Sequence, residues 1–172
     1  MTDARSRQLP PAGTLHRIFE VVAAVGVVAC VGSLAISWED LPPRVPVHFA
    51  WDGRPDGIGS RGVLVFVASV GVLVYALLTV LTRFPWKFSY PGGFPEADVT
   101  AAYTTARTLV TCCKAFSTAV FAWTVWRSIQ TALGRADGLG VLFGPVVVVF
   151  AIGLLVFQLR WTRRLRRRSE AR

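Results

Sequence analysis

Residues 63–81 read VLVFVASVGVLVYALLTVL, nineteen consecutive residues without a charged side chain. A helix rises 1.5 Å per residue, so a run of about 20 apolar residues crosses the roughly 30 Å hydrocarbon core of a bilayer. Working outward, three more blocks of similar kind appear, and the chain reads as spans at about 18–38, 63–82, 105–130 and 138–160. Hydrophobic residues make up 53% and charged residues 17% of the 172. Soluble domains hold charge near a quarter of the chain, and apolar blocks this long would overfill a water-soluble core of this size. The expected fold is therefore an all-α membrane protein, a four-transmembrane-helix bundle with a structured outer loop at 39–62. Residues 1–172 form one membrane domain, ending in a basic tail at 160–172.

The net charge of +9 is concentrated at the ends of the apolar blocks, and seven of the nineteen Lys and Arg fall within residues 160–172. Together with Arg5, Arg7, Arg17, Arg83 and Lys87 these place both termini on the cytoplasmic side under the positive-inside rule. The expected location is a bacterial plasma membrane, crossed several times. Trp38, Trp86, Trp126 and Trp161 sit at or near block ends, as interfacial aromatic belts do. A cleaved signal peptide ending near Ser33-Leu34-Ala35 is the rival reading of the first block, but its apolar run exceeds the usual 7–15 residues. The arginine tail reads as topology and anionic-lipid contact, and no nucleic acid is expected. Cys30, and the adjacent pair Cys112 and Cys113, read as buried thiols rather than a disulfide or zinc set; acylation of Cys112 or Cys113 is the alternative.

The most punctuated stretch is residues 39–61, EDLPPRVPVHFAWDGRPDGIGSR. Pro42, Pro43 and Pro46 prevent a helix. Val45, Val47, Phe49 and Trp51 alternate with Pro46, His48 and Ala50, which predicts one short extended segment, and Asp52-Gly53 and Asp56-Gly57 read as successive tight turns. Helix–helix connections usually need only about 2–8 residues, so this loop is the expected working surface. The candidate partner-binding residues are Pro46, His48, Phe49, Trp51, Asp52, Gly53, Asp56, Gly57 and Arg61.

After the second span, residues 91–93 suggest a Pro-Gly-Gly turn and residues 95–98 a helix start leading into the third span. Tyr103, Arg107 and Lys114 share one helical face and are expected to form a cytoplasmic partner surface, Lys114 lifting its charge toward the headgroups. The third connection, about residues 135–139, reads as a short turn with little surface. Pro145 is expected to kink the fourth helix and Gly144 to admit a close neighbour.

His48, Asp52 and Asp56 are weak metal candidates, since imidazole and carboxylates bind divalent cations; the prolines deny them a common helical face, and each Asp is accounted for by its Asp-Gly turn. No metal or other cofactor is expected. No Ser/His/Asp elbow, H-E-x-x-H or P-loop occurs, and the expectation is a protein without enzymatic activity. Glu20, Lys114 and Arg127 are placed near span ends, which argues against a transport pathway through one chain.

Residues 41–62, LPPRVPVHFAWDGRPDGIGSRG, resemble the L-P-x-x-[VI]-P-x-H-F-x-x-x-G-x-x-D-[GR]-x-G-S-[KR] signature of a bacterial membrane family of unknown function, a domain that also opens the SdpI-like immunity proteins. The matching positions are Leu41, Pro42, Pro46, His48, Phe49, Gly53, Asp56, Gly59, Ser60 and Arg61. A second stretch, residues 96–114, is similar to an E-N-A-x-x-x-Y-x-x-A-R pattern through Tyr103, Ala106 and Arg107, without its Glu-Asn-Ala lead-in. The best-known members act as receptor and immunity proteins that hold a repressor at the membrane and carry additional C-terminal helices, so this chain looks like a short member. The resemblance implies recognition of an extracellular peptide or partner through the outer loop, in an immunity or signalling role, with a membrane or cytoplasmic protein as second partner. The alternative is an accessory or structural subunit of a larger membrane complex or transporter.

Overall fold

The computed structural model describes residues 12–88 and 99–170, the side chains of 165–170 excepted. The turn expected at 91–93, the helix start expected at 95–98, Arg5, Arg7 and the last two residues lie outside the described residues. Element order is α1 (Thr14–Ser37), β1 (Arg44–Phe49), β2 (Pro55–Ser60), α2 (Gly62–Leu81), a 3₁₀ turn (Pro85–Lys87), α3 (Val99–Ala132) and α4 (Phe143–Glu170). All four α-helices are long and apolar enough to cross a membrane, so the chain is an all-α membrane protein carrying one small hairpin.

α1, α2 and α3 pack together, with α3 in contact with both of the others. At 34 residues α3 is about 50 Å long, well beyond the hydrocarbon thickness. Its Thr118 lies against Gly26 of α1 and its Phe121 against Gly71 of α2; small residues at such crossings let backbones approach, which is how helices gain packing contacts in lipid. The tightest core combines Cys30, Leu34, Leu64, Ala68, Val125 and Ile129 with Leu41 and Val45 from the hairpin segment. The hairpin is thus rooted in one end of the bundle.

α4 stands apart. None of its described side chains is buried, and its Phe150 stacks on Phe116 of α3 with centroids 3.6 Å apart. It starts at Phe143, five residues after the apolar block begins, because Gly138 (φ +135°) and Gly140 (φ +92°) hold 138–142 in turns. Pro145 therefore sits in the first helical turn, where a missing N–H costs no hydrogen bond, and the expected mid-helix kink is replaced by a helix start.

Candidate functional site

β1 and β2 form an antiparallel hairpin with pairs Arg44–Ser60, Val45–Gly59, Pro46–Ile58, His48–Gly57 and Phe49–Pro55, interrupted by irregular register on both sides of His48. Both strands are edges, so Pro46 is tolerated. Gly53 (φ +79°) closes the turn, with Ala50 N–H donating to Arg54 O and Gly53 N–H to Ala50 O. The Asp52-Gly53 turn is present. Asp56-Gly57 instead lies within β2: a second extended segment pairs with β1, and Gly57 is the partner of His48. A Cβ at 57 would stand 2.8 Å from the His48 Cβ, so only glycine lets the imidazole lie across the neighbouring strand.

At its base the hairpin turns inward. Val45 is fully buried, Leu41 nearly so, and Val47 and Trp38 pack beside them. Arg61 donates from one guanidinium nitrogen to Trp38 O (3.2 Å) and Leu41 O (3.3 Å), and its charge lies 4.5 Å from the Trp38 ring centroid. It is engaged in closing the hairpin's two ends. The exposed end is different. His48 Nδ1–H donates to Asp56 Oδ1 at 2.5 Å, with the two side chains 74% and 45% exposed, and Trp51 is 87% exposed. Asp52 accepts from Arg54 N–H and faces the Arg54 guanidinium, so it turns away from His48 and Asp56. Among the described residues no group of three or more metal-ligating side chains comes together.

The turn before α4, read from sequence as offering little surface, is the hairpin's seat. Gly53 O accepts from Leu139 N–H at 2.8 Å, and a Cβ on Gly138 would collide with Gly53 O. α3 grips the same turn: Arg127 Nε donates to Gly138 O (2.6 Å) and Trp123 Nε1 to Leu139 O (3.0 Å). Between the hairpin tip and α4 lies a cleft of about 540 Å³ lined by His48, Phe49, Trp51, Asp56, Phe143 and Val147 among others. The residue close to Gly144 is Trp51. Of the nine loop residues, His48, Phe49, Trp51, Gly53 and Asp56 meet at this cleft; Pro46, Asp52, Gly57 and Arg61 shape the hairpin around it.

A second polar assembly, away from the hairpin, escaped the sequence reading. Lys114 is fully buried, not lifted to a surface. Its ammonium donates to Glu20 Oε2 of α1 (2.6 Å) and Thr79 Oγ1 of α2 (3.1 Å), and lies 4.9 Å from the Tyr75 ring centroid. Thr79 passes its own proton to Tyr75 O. The other Glu20 oxygen lies 3.8 Å from His16 Nε2, while His16 Nδ1 meets Thr111 Oγ1 at 3.0 Å. Thr111 donates to Arg107 O, so the imidazole is the donor to it. Lys114 is thereby withdrawn from the partner surface expected of Tyr103, Arg107 and Lys114, because a buried charge is tolerable only where it is paired and hydrogen-bonded. The available signal was one carboxylate and one ammonium standing alone in separate apolar blocks.

No curated protein and no solved structure matches the chain. Residues 25–78, running from α1 through the hairpin to α2, match the family model of a domain of unknown function, DUF1648, over just under a third of the chain.

Proposed function

We propose that this multi-pass membrane protein is non-enzymatic and recognises an extracellular peptide or protein through the tip of its hairpin, in an immunity or signalling role at a bacterial plasma membrane. Its termini are cytoplasmic in this reading, by the distribution of Lys and Arg. The observation that carries it is the division of the hairpin: a buried base at Val45 and a tip that holds Trp51 and the His48–Asp56 pair in the open over a cleft. An exposed aromatic beside an oriented polar pair is the composition of a binding hot spot. The family match spans the hairpin, and the resemblance of residues 41–62 to the SdpI-like signature favours the same reading.

The test is to expose producing cells to a panel of membrane-active peptide toxins and compare the wild type with Trp51→Ala and His48→Ala. Survival should fall for both variants while folded yield holds, since exposed substitutions change stability by about 0.5 kcal/mol or less. Equal survival at equal yield would count against recognition. A second reading, an accessory subunit of a larger complex, is favoured by α4, which has no buried described side chain. Co-purification in mild detergent separates the two: a stoichiometric larger partner supports the subunit, a lone chain that binds peptide the receptor.

A further inference from the structure

At the end of the bundle opposite the hairpin, α4 diverges from the core and leaves a cleft of about 520 Å³ lined by Leu15 and Phe19 of α1, Leu109 of α3, and Phe150, Leu154 and Phe157 of α4. Thr108 and Cys112 line the same wall as Thr104 and Thr105, whose hydroxyls turn back to Thr100 O and Ala101 O, and the lining as a whole is overwhelmingly apolar. Phe157 also lines a second recess, of about 340 Å³, whose other walls are Arg160, Trp161 and Arg164. Phe157 is thus a wall common to an open apolar cleft and a cationic recess.

We propose that this composite cleft holds one anionic phospholipid, an acyl chain between α1, α3 and α4 and the headgroup phosphate at Arg160 and Arg164. Charge and polarity together select the occupant: an amphiphile with one negative end is complementary to a slot that is apolar inside and doubly basic at its rim. Arginine pairs with phosphate oxygens through its planar fork of donors. A partner helix would cover the apolar wall but would leave the two guanidinium groups without an anion at the mouth.

Gly153 lines the slot, and a Cβ there would meet nothing within 4 Å, so Gly153→Leu fills the space with little disturbance of the walls. The experiment is native mass spectrometry of the full chain in non-ionic detergent, titrated with phosphatidylglycerol or phosphatidylcholine of identical acyl chains. One phosphatidylglycerol should be retained about thirtyfold better than phosphatidylcholine, the effect expected of two basic residues at about 1 kcal/mol each. Arg160→Gln with Arg164→Gln should remove that preference, and Gly153→Leu should weaken both lipids alike. Equal retention of the two lipids by the wild type, which requires no variant to fold, overturns the proposal. So does unchanged phosphatidylglycerol binding in a folded Gly153→Leu protein, or a protein segment found in the slot.

Discussion

α3 and α4 are both long helices, yet they are held in opposite ways. α3 is locked on two sides by polar and apolar groups that reach α1, α2 and the hairpin, including a fully buried lysine. The contacts of α4 include the stack of Phe150 on Phe116, the approach of Trp51 to Gly144 and the turn that precedes the helix, and none of its described side chains is buried. Apolar surface gains nothing by leaving lipid for another apolar surface, so helix association in a bilayer rests on packing and on interhelical hydrogen bonds. Where such bonds are present the helices close up. α4, with no buried side chain among its described residues, has clefts beside it.

The strongest way to break the contrast is Lys114→Met, which leaves Glu20 without its cation. Removing one partner of a fully buried pair costs about 3–5 kcal/mol; Glu20 keeps 32% of its side chain exposed, so the loss falls toward the lower end of that range and thermal unfolding in detergent should still shift clearly downward. The double change Lys114→Met with Glu20→Gln should recover much of the loss; a double variant as unstable as the single would show that packing, not charge, sets the cost. A smaller effect is expected from Gly138→Ala, whose methyl group would collide with Gly53 O. Backbone strain of this kind is worth about 1–3 kcal/mol, and amide exchange should quicken at 44–60 and 138–143 while α1 to α3 stay protected. The smallest is Phe150→Ala. Loss of the stack on Phe116 removes about 1 kcal/mol and should broaden the distance between spin labels on Ala119 and Val149 without changing the unfolding of the core.

The four apolar helices were legible because a charge-free run such as 63–81 has one ready solution in lipid. The fourth helix's first residue was not: the stretch from Gly138 to Leu142 is as apolar as the helix after it, and only its backbone angles exclude it. In the hairpin, the Asp52-Gly53 turn could be read from local chemistry. The second strand could not, since Asp56-Gly57 carries a turn signal that pairing with His48 overrides. The shared helical face of Tyr103, Arg107 and Lys114 was visible, but its direction depends on a carboxylate 94 residues away. Sequence spacing orders residues on one helix; it does not say which neighbouring helix they meet.

That separation sets a clock on how the protein is made. A ribosome adding 5–20 residues per second needs roughly 5 to 20 s to pass from Glu20 to Lys114. Through that interval Glu20, in the second turn of α1, lacks the ammonium that pairs with it in the finished fold. The carboxylate therefore acquires its buried partner only when the third helix arrives. A chain stalled between the two residues leaves that acid without its lysine partner.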